Sequence, residues 1–365
     1  MRKIRVLVVD DAVVIRRMLT DILSSDPVLE VAGTAPNGRI ALARIPQLNP
    51  DLITLDIEMP EMDGLETLRE IRKTYPKLPV IMFSTLTQRG AGETLDALAL
   101  GANDYVTKPA NVGSVGAAIE AIRQALIPKI KVFCARAAGG ETPSLVPSAA
   151  KAIGRPAARR GPHPPSRIDV VAIAVSTGGP NTLAEIFPIF PADFPVPMVI
   201  VQHMPPLFTK ILAERLNTKS KLTVTEGHQG EILHPGQAWI APGGYHMVVK
   251  RQGTSVGLQI NKDPPENSCR PAADVLFRSV TQAYGANVLG IVLTGMGQDG
   301  LRGSEHIRDT GGQIFAQDEA TSVVWGMPGY VAEAGLADKV LPADQIGTAI
   351  VRAVTTRRTV SVGVM

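Results

Sequence analysis

Three residues in the C-terminal half have the types and settings that nucleophilic hydrolysis requires. Ser176 follows the apolar run 170–175 and precedes Thr177, Gly178, Gly179 and Pro180. A serine at the end of a buried strand, ahead of two glycines and a helix, is displayed at a turn. The glycines allow close backbone approach there, and the helix N-terminus favours developing negative charge. Taken alone, Ser176 reads equally well as an N-cap or as part of a phosphate-binding turn. It does not lie in a G-x-S-x-G elbow, because Ala174 occupies the earlier glycine position. His203 closes the apolar run 198–202, just before Met204, Pro205 and Pro206. A lone histidine is more often a surface or capping residue, but beside a strand-end serine it can act as general base. Asp299 lies in Thr294-Gly295-Met296-Gly297-Gln298-Asp299-Gly300, after the run 288–293. A carboxylate there can orient an imidazole and stabilise its charged form, which completes a Ser–His–Asp triad on three strand-end loops. His246 is the best alternative base, although Ala241-Pro242-Gly243-Gly244-Tyr245 ahead of it reads more simply as a turn into a strand. His163, His228, His234 and His306 fit less well.

A second set stands in the N-terminal third. Asp10 and Asp11 end one apolar run and Asp56 ends another. Three carboxylates in one pocket repel each other unless a cation compensates, and an all-oxygen set suits Mg²⁺. Ser84 and Lys108 end two further runs, Lys108 just before Pro109. Beside a metal-bound carboxylate, Lys108 would neutralise a phosphoryl group carried by Asp56, and the Ser84 hydroxyl would donate to it. Any one of these acids by itself is an ordinary turn or cap residue. The case rests on five suitable residues at four of the five strand ends.

The elements that must position these residues alternate. Strand-like runs at 5–9, 29–35, 52–56, 80–84 and 104–106 are separated by helical patterns at 13–24, 38–48, 65–75, 92–100 and 114–126. Five βα units of this length predict a five-stranded parallel sheet with helices on both faces, whose ligands gather at the carboxyl ends of the strands. From residue 168 a second, larger α/β pattern begins. Its strand-like runs are 170–175, 198–202, 238–240, 247–250, 258–260, 287–293 and 313–316. Helical stretches fall at 182–186, 210–217, 272–284 and 303–309. The predicted fold class is therefore α/β throughout: a flavodoxin-like domain over 3–122 linked to a larger doubly wound hydrolase domain over 168–355.

Between them, residues 127–167 hold eight basic residues, one acid (Glu141) and seven prolines, within a chain of net charge +3. Residues 123–167 read as a basic, Pro/Ala-rich soluble linker, because no folded basic face accompanies the charge. The other exclusions follow from composition. No apolar run reaches about 18 residues, so no membrane insertion is expected. The first run is too short and too soon followed by acids for a signal peptide. Cys134 and Cys269 lack metal-ligand spacing, and cytoplasmic residence is expected. The 4% aromatic content argues against a platform for single-stranded nucleic acid. A DNA-binding output domain would need a helix-turn-helix with a basic face, whereas the second domain is strand-rich and carries a net charge near −2 over residues 168–365.

Residues 3 to about 122 resemble the response-regulator receiver domain in Val9-Asp10-Asp11, Leu55-Asp56-Ile57-Glu58-Met59-Pro60, Phe83-Ser84-Thr85 and Asp104-Tyr105-Val106-Thr107-Lys108-Pro109. The resemblance implies phosphorylation of Asp56 by a histidine kinase and Mg²⁺ held by Asp10, Asp11, Asp56 and the backbone carbonyl of Glu58. It also implies that Ser84 and Tyr105 form a switch pair. Ala12 stands where many relatives carry Ser. Residues 168 to about 350 resemble the catalytic domain of the chemotaxis protein-glutamate methylesterases. The matching segments include Ser176-Thr177-Gly178-Gly179-Pro180, Gln202-His203-Met204-Pro205, Arg270-Pro271, Leu293 through Gly300 and Gly326-Met327-Pro328. The order Ser, His, Asp also departs from that of ordinary α/β-hydrolases. This resemblance implies attack by Ser176 on a glutamate methyl ester of a methyl-accepting chemoreceptor. His203 would be the base and Asp299 its partner. The backbone N–H of Met296 would be an oxyanion donor, and Thr177 would help position His203. No cofactor is implied for the esterase, and glutamine deamidation would use the same acyl chemistry. Fusing a switch to a hydrolase implies that the unphosphorylated receiver covers the Ser176 pocket and that phosphorylation opens it. Cys269 stands where a His is common, in a loop implied to meet the receptor. A receiver–hydrolase acting on a different ester remains the near alternative.

Overall fold

The computed structural model describes residues 2–108, 114–137 and 167–359. The chain forms two compact units, Met1–Ser144 and Leu145–Met365. In the first, β1 (Ile4–Val9), α1 (Val13–Ser24), β2 (Leu29–Ala35), α2 (Gly38–Leu48), β3 (Leu52–Asp56), α3 (Gly64–Thr74), β4 (Val80–Ser84), α4 (Gln88–Ala99), β5 (Asp104–Thr107) and α5 (Val115–Ala137) alternate along the chain. The sheet order is β2-β1-β3-β4-β5, and each pairing is parallel. Val6 to Val9 and Leu52 to Leu55 are buried, as expected for strands covered by helices on both faces. Side-chain caps set three helix starts: Asn37 accepts from Ile40 N–H, Asp63 from Glu66 N–H and Thr87 from Gly90 N–H. The Thr87 cap explains why α4 begins a turn before the apolar pattern does.

The expected linker needs correcting at its start. Residues 123–137 are the second half of α5, which runs through Pro128. Leu126, Ile130, Val132 and Phe133 are buried, and this burial outweighs the backbone bond that a mid-helix proline removes. Two of the basic residues read as tether charges are instead paired. Lys129 Nζ lies 2.6 Å from Asp104 Oδ2, and Lys131 Nζ lies 2.7 Å from Asp26 Oδ2. The remainder of the expected linker, 138–166, lies outside the described residues, as does Pro109.

The second unit contains β6 (Val170–Val175), α6 (Gly179–Ile186), β7 (Met198–Gln202), α7 (Phe208–Lys219), β8 (Thr223–Glu226), β9 (Gln237–Ile240), β10 (His246–Gln252), β11 (Ser255–Asn261), α8 (Ala273–Tyr284), β12 (Val288–Val292), α9 (Leu301–Asp309), β13 (Gln313–Gln317), α10 (Met327–Glu333), β14 (Lys339–Leu341) and α11 (Ala343–Thr359). Seven strands form one parallel sheet in the order β14-β13-β12-β6-β7-β9-β8. Two of the strands expected from sequence do not join it: β10 and β11 pair with each other as an antiparallel hairpin. One core cluster joins Val170, Val199, Trp239, Leu258, Phe277 and Val292, so the hairpin and α8 pack on the same apolar mass as the sheet.

Chain direction along each sheet reverses at one place. In the first unit it lies between β1 and β3, and in the second between β6 and β12. Open α/β sheets bind ligands in the crevice beyond the strand ends at such a point. Asp10 and Asp56 stand at the first crevice, and Ser176 and Asp299 follow the two strands that flank the second.

Candidate active sites

Strand register brings the serine and the histidine together. Val175 pairs with Gln202, and the His203 N–H donates to the Val175 carbonyl at 3.2 Å. The Ser176 N–H donates to the Thr294 carbonyl at 3.0 Å, which ties the same turn to the loop after β12. That loop comes very close to the serine: a Cβ on Gly295 would lie 2.8 Å from the Ser176 Cβ and 2.4 Å from the Met327 sulfur. A glycine is therefore the residue that fits at 295. Gln202 Nε2 donates to the Ser176 carbonyl at 2.9 Å and braces the turn from the neighbouring strand.

The imidazole and the carboxylate touch. His203 Nε2 is 2.7 Å from Asp299 Oδ2, with the side chains 12% and 2% exposed. A neutral ring that donates through Nε2–H carries its lone pair on Nδ1. Nδ1 faces Cys269 Sγ at 3.7 Å. Among the described residues the Ser176 hydroxyl makes no hydrogen bond to the ring. Burial disfavours the charged ring, but the hydrogen bonds to Asp299 and Cys269 outweigh it, and His203 stands above the ordinary histidine pKa. For Asp299 burial acts upward, yet the imidazole and backbone donors prevail and hold it below the ordinary carboxylate value.

Asp299 is held from every side. Its Oδ2 accepts from Ala273 N–H at 2.6 Å, and its Oδ1 accepts from Asp274 N–H at 3.0 Å, Gly300 N–H at 3.1 Å and Asn267 Nδ2 at 2.9 Å. It thus satisfies the first amides of α8. Asp274, inside α8, returns the arrangement. Its Oδ1 accepts from Gly300 N–H at 3.0 Å and Gly303 N–H at 2.6 Å, which satisfies the start of α9. Asn267 bridges the two acids, with Nδ2 2.8 Å from Asp274 Oδ2. Burial, reinforced by the Asp299 charge, pushes Asp274 up to about 6. Each carboxylate caps the helix that the other precedes or opens. Sequence reasoning did not single out Asn267 or Asp274. The only local signal was an acid in the first turn of α8.

The weaker candidates divide. The Met296 N–H donates to no acceptor among the described residues, as an oxyanion donor requires before substrate arrives. Thr177 is buried, and its carbonyl accepts from the Thr294 hydroxyl at 2.9 Å. The rival base His246 is committed elsewhere. Its Nε2 is 3.1 Å from the Pro264 carbonyl, and its Nδ1 is 3.3 Å from the Ala272 N–H.

At the receiver crevice, Lys108 Nζ lies 2.7 Å from Asp56 Oδ2 and 3.1 Å from Asp10 Oδ2. Carboxylate oxygens of Asp10, Asp11 and Asp56 lie within 4.8 Å of one another. The adjoining cleft, about 580 Å³, is lined by Asp11, Ile57, Glu58, Asp63 and Arg89 among others. Gly64 permits the loop after β3 to fold this tightly, since a Cβ there would lie 2.2 Å from the Asp56 carbonyl. Burial, with the Asp10 charge adding to it and Lys108 opposing, pushes Asp56 up to about 6, and burial also raises Asp10. One ammonium cannot balance three carboxylates, so the donor set fits a divalent cation. The Ser84 hydroxyl is engaged by α4. It accepts from Thr94 Oγ1 at 2.7 Å and donates toward the Gly90 carbonyl at 3.2 Å, both on α4. Tyr105 is half-buried, with Lys129 Nζ 5.5 Å from its ring centroid.

The raised Asp56 has a consequence for stability. A carboxyl group that moves from 3.8 to about 6 on folding disfavours the folded state progressively as pH rises between those values, and the deficit persists above them. Asp56→Asn is expected to stabilise the receiver at pH 7 by ~1–2 kcal/mol and to weaken the stabilisation that Mg²⁺ gives. Thermal denaturation with and without Mg²⁺ checks both effects.

Comparison with known proteins agrees with this two-part layout. The CheB methylesterase family matches residues 171–350, and the response regulator receiver domain family matches residues 6–120. A protein-glutamate methylesterase/protein-glutamine glutaminase of Trichodesmium erythraeum is 56% identical over 96% of this chain and 99% of its own. One of the same name from a Nocardioides species is 51% identical over 97% and 96%. The crystal structure of the Thermotoga maritima CheB methylesterase catalytic domain superposes with a TM-score of 0.50 at 43% identity, covering 51% of this chain and 99% of that one. Receiver crevice, Ser–His–Asp crevice and full-length relatives lead to one conclusion: the chain belongs to the CheB family of receiver-linked protein-glutamate methylesterase/protein-glutamine glutaminases.

Proposed function

We propose that the protein hydrolyses glutamate methyl esters on chemoreceptors, and deamidates receptor glutamines, under control of phosphorylation at Asp56. The observation that carries the reading is the 2.7 Å His203–Asp299 bond beside a strand-end serine at the reversal point of the sheet. Ser176 Oγ attacks the ester carbonyl carbon, and His203 takes the hydroxyl proton on Nδ1 while Nε2–H stays on Asp299. The Met296 N–H receives the charge that develops on the carbonyl oxygen, and Thr177 buttresses the turn. Collapse breaks the bond to the methoxy group, which leaves as methanol with the proton from His203. Water, deprotonated by His203, then attacks the acyl carbon; collapse breaks its bond to Ser176 Oγ, which takes the proton back from His203, and glutamate is released. With a glutamine side chain the leaving group is ammonia, and the remaining steps are the same. These steps use only groups of the chain and water.

In the receiver, Asp10, Asp11, Asp56 and the Glu58 carbonyl would hold Mg²⁺, which supplies charge neutralisation for a phosphoryl group. Lys108 already pairs with the Asp56 oxygen that would carry that group, and Ser84 would turn from α4 to donate to it as Tyr105 moves. A cytoplasmic histidine kinase of the chemotaxis system is the phosphodonor in this reading. The domains run 3–122 and 168–355, with α5 extending the first. Methanol release from methylated receptor is the test, with full chain, Mg²⁺ and a small phosphodonor. Release is expected to rise on phosphorylation in the wild type and not in Asp56→Asn. Absence of release from either protein would overturn the esterase reading, and an equal rise in both would overturn control through Asp56.

A further inference from the structure

Cys269 reaches His203 through an unusual piece of backbone. Asn267 and Ser268 both adopt positive φ, 52° and 61°, and Glu266 and Cys269 exchange backbone hydrogen bonds of 3.1 and 2.8 Å. This tight turn places Cys269 Sγ 3.7 Å from His203 Nδ1. In a tetrahedral zinc site, Zn–S of about 2.3 Å and Zn–N of about 2.0–2.1 Å separate sulfur and nitrogen by about 3.6 Å. The observed spacing, a sulfur–imidazole hydrogen bond in this structure, also matches that of two ligands on one ion. The far side of the ring is already in the form that metal-binding histidines use. Nε2 is 2.7 Å from Asp299 Oδ2, and that carboxylate is fixed by four further donors. A histidine that gives one nitrogen to a metal characteristically donates the other N–H to such a carboxylate. Ligand atoms of His203, Cys269 and Asp299 all lie within 4.8 Å of one another, and Cys269 is partly accessible.

We infer that Cys269 Sγ and His203 Nδ1 form an inhibitory binding site for a thiophilic divalent cation such as Zn²⁺, with Asp299 orienting the imidazole. On binding, the Cys269 thiol and, where the imidazole is charged, its Nδ1 each release a proton to solvent, the sulfur and Nδ1 each give a lone pair to the ion, and solvent oxygen completes the coordination. Nδ1 is the nitrogen that would receive the Ser176 proton, so an ion there stops acylation without touching the serine. The functional consequence rests on the esterase reading above. The binding itself does not.

Co²⁺ added to the full chain reads the site directly, because a thiolate ligand produces a near-ultraviolet charge-transfer band that carboxylate sites lack. The acidic cluster of the receiver therefore cannot mimic it. Cys134 cannot supply it either, being buried with its thiol pushed up to about 12 by burial. The band is expected in the wild type and in Cys134→Ser, and is expected to be lost in Cys269→Ser. In parallel, Zn²⁺ is expected to inhibit methanol release reversibly by chelator. Half-inhibition of Cys269→Ser, normalised to its own metal-free rate, should need roughly 10–100-fold more Zn²⁺. Cys269→His, which offers a second imidazole, should regain inhibition without the band and so separates ligand loss from misfolding. No band in the wild type, or a Zn²⁺ response unchanged in Cys269→Ser, overturns the site. A band without any methanol release would leave the metal site standing and sink the esterase reading alone.

Discussion

Ser176→Ala should lower the rate constant for methanol release by roughly 10⁵-fold, with little change in substrate affinity. The turn that carries residue 176 is held by backbone bonds to Thr294 and Gln202, not by the hydroxyl, so the variant should keep its fold. Residual hydrolysis reflects the oxyanion donor and binding alone. Because serine and base act as one unit, Ser176→Ala/His203→Ala should be barely slower than Ser176→Ala. Activity of Ser176→Ala within about tenfold of wild type would remove this serine as the nucleophile.

Asp299→Asn should cost about 10⁴-fold in turnover and also move the pH profile. The base must be neutral to accept the serine proton, so activity rises as pH rises through the His203 pKa. In the wild type that rising limb should lie above the ordinary 6.5, because Asp299 and Cys269 outweigh burial. In Asp299→Asn the Asp299 contribution is gone while burial still acts downward, so the limb should shift to lower pH. A kcat/KM profile from pH 5 to 11 reads this. A limb that stays in place while turnover falls would mean that Asp299 serves only as a helix cap.

The three candidate residues stood out because Ser176 and His203 directly follow buried strands and Asp299 lies in the glycine-rich loop after another, and such places show in sequence as apolar runs broken by glycine, proline or a polar residue. The receiver acids were legible for the same reason. What surrounds them was not. Cys269 was read as belonging to a receptor-facing loop, and only the positive-φ turn at 267–268 brings its sulfur onto the base. Asp274 was not singled out at all, because its carboxylate serves not its own helix but the next one. α5 was cut short because Pro128 and the lysines resemble a tether, although Asp104 and Asp26 neutralise two of those charges. In each case the deciding partner lies far away in the sequence.

The paired carboxylates at the heads of α8 and α9 bear on how the enzyme fails under heat. One anion closes off a helix and steers the imidazole at once, so neither helix can fray without the other and without the base losing its aim. Inactivation of this half of the chain should be abrupt, arriving together with the loss of its tertiary signal.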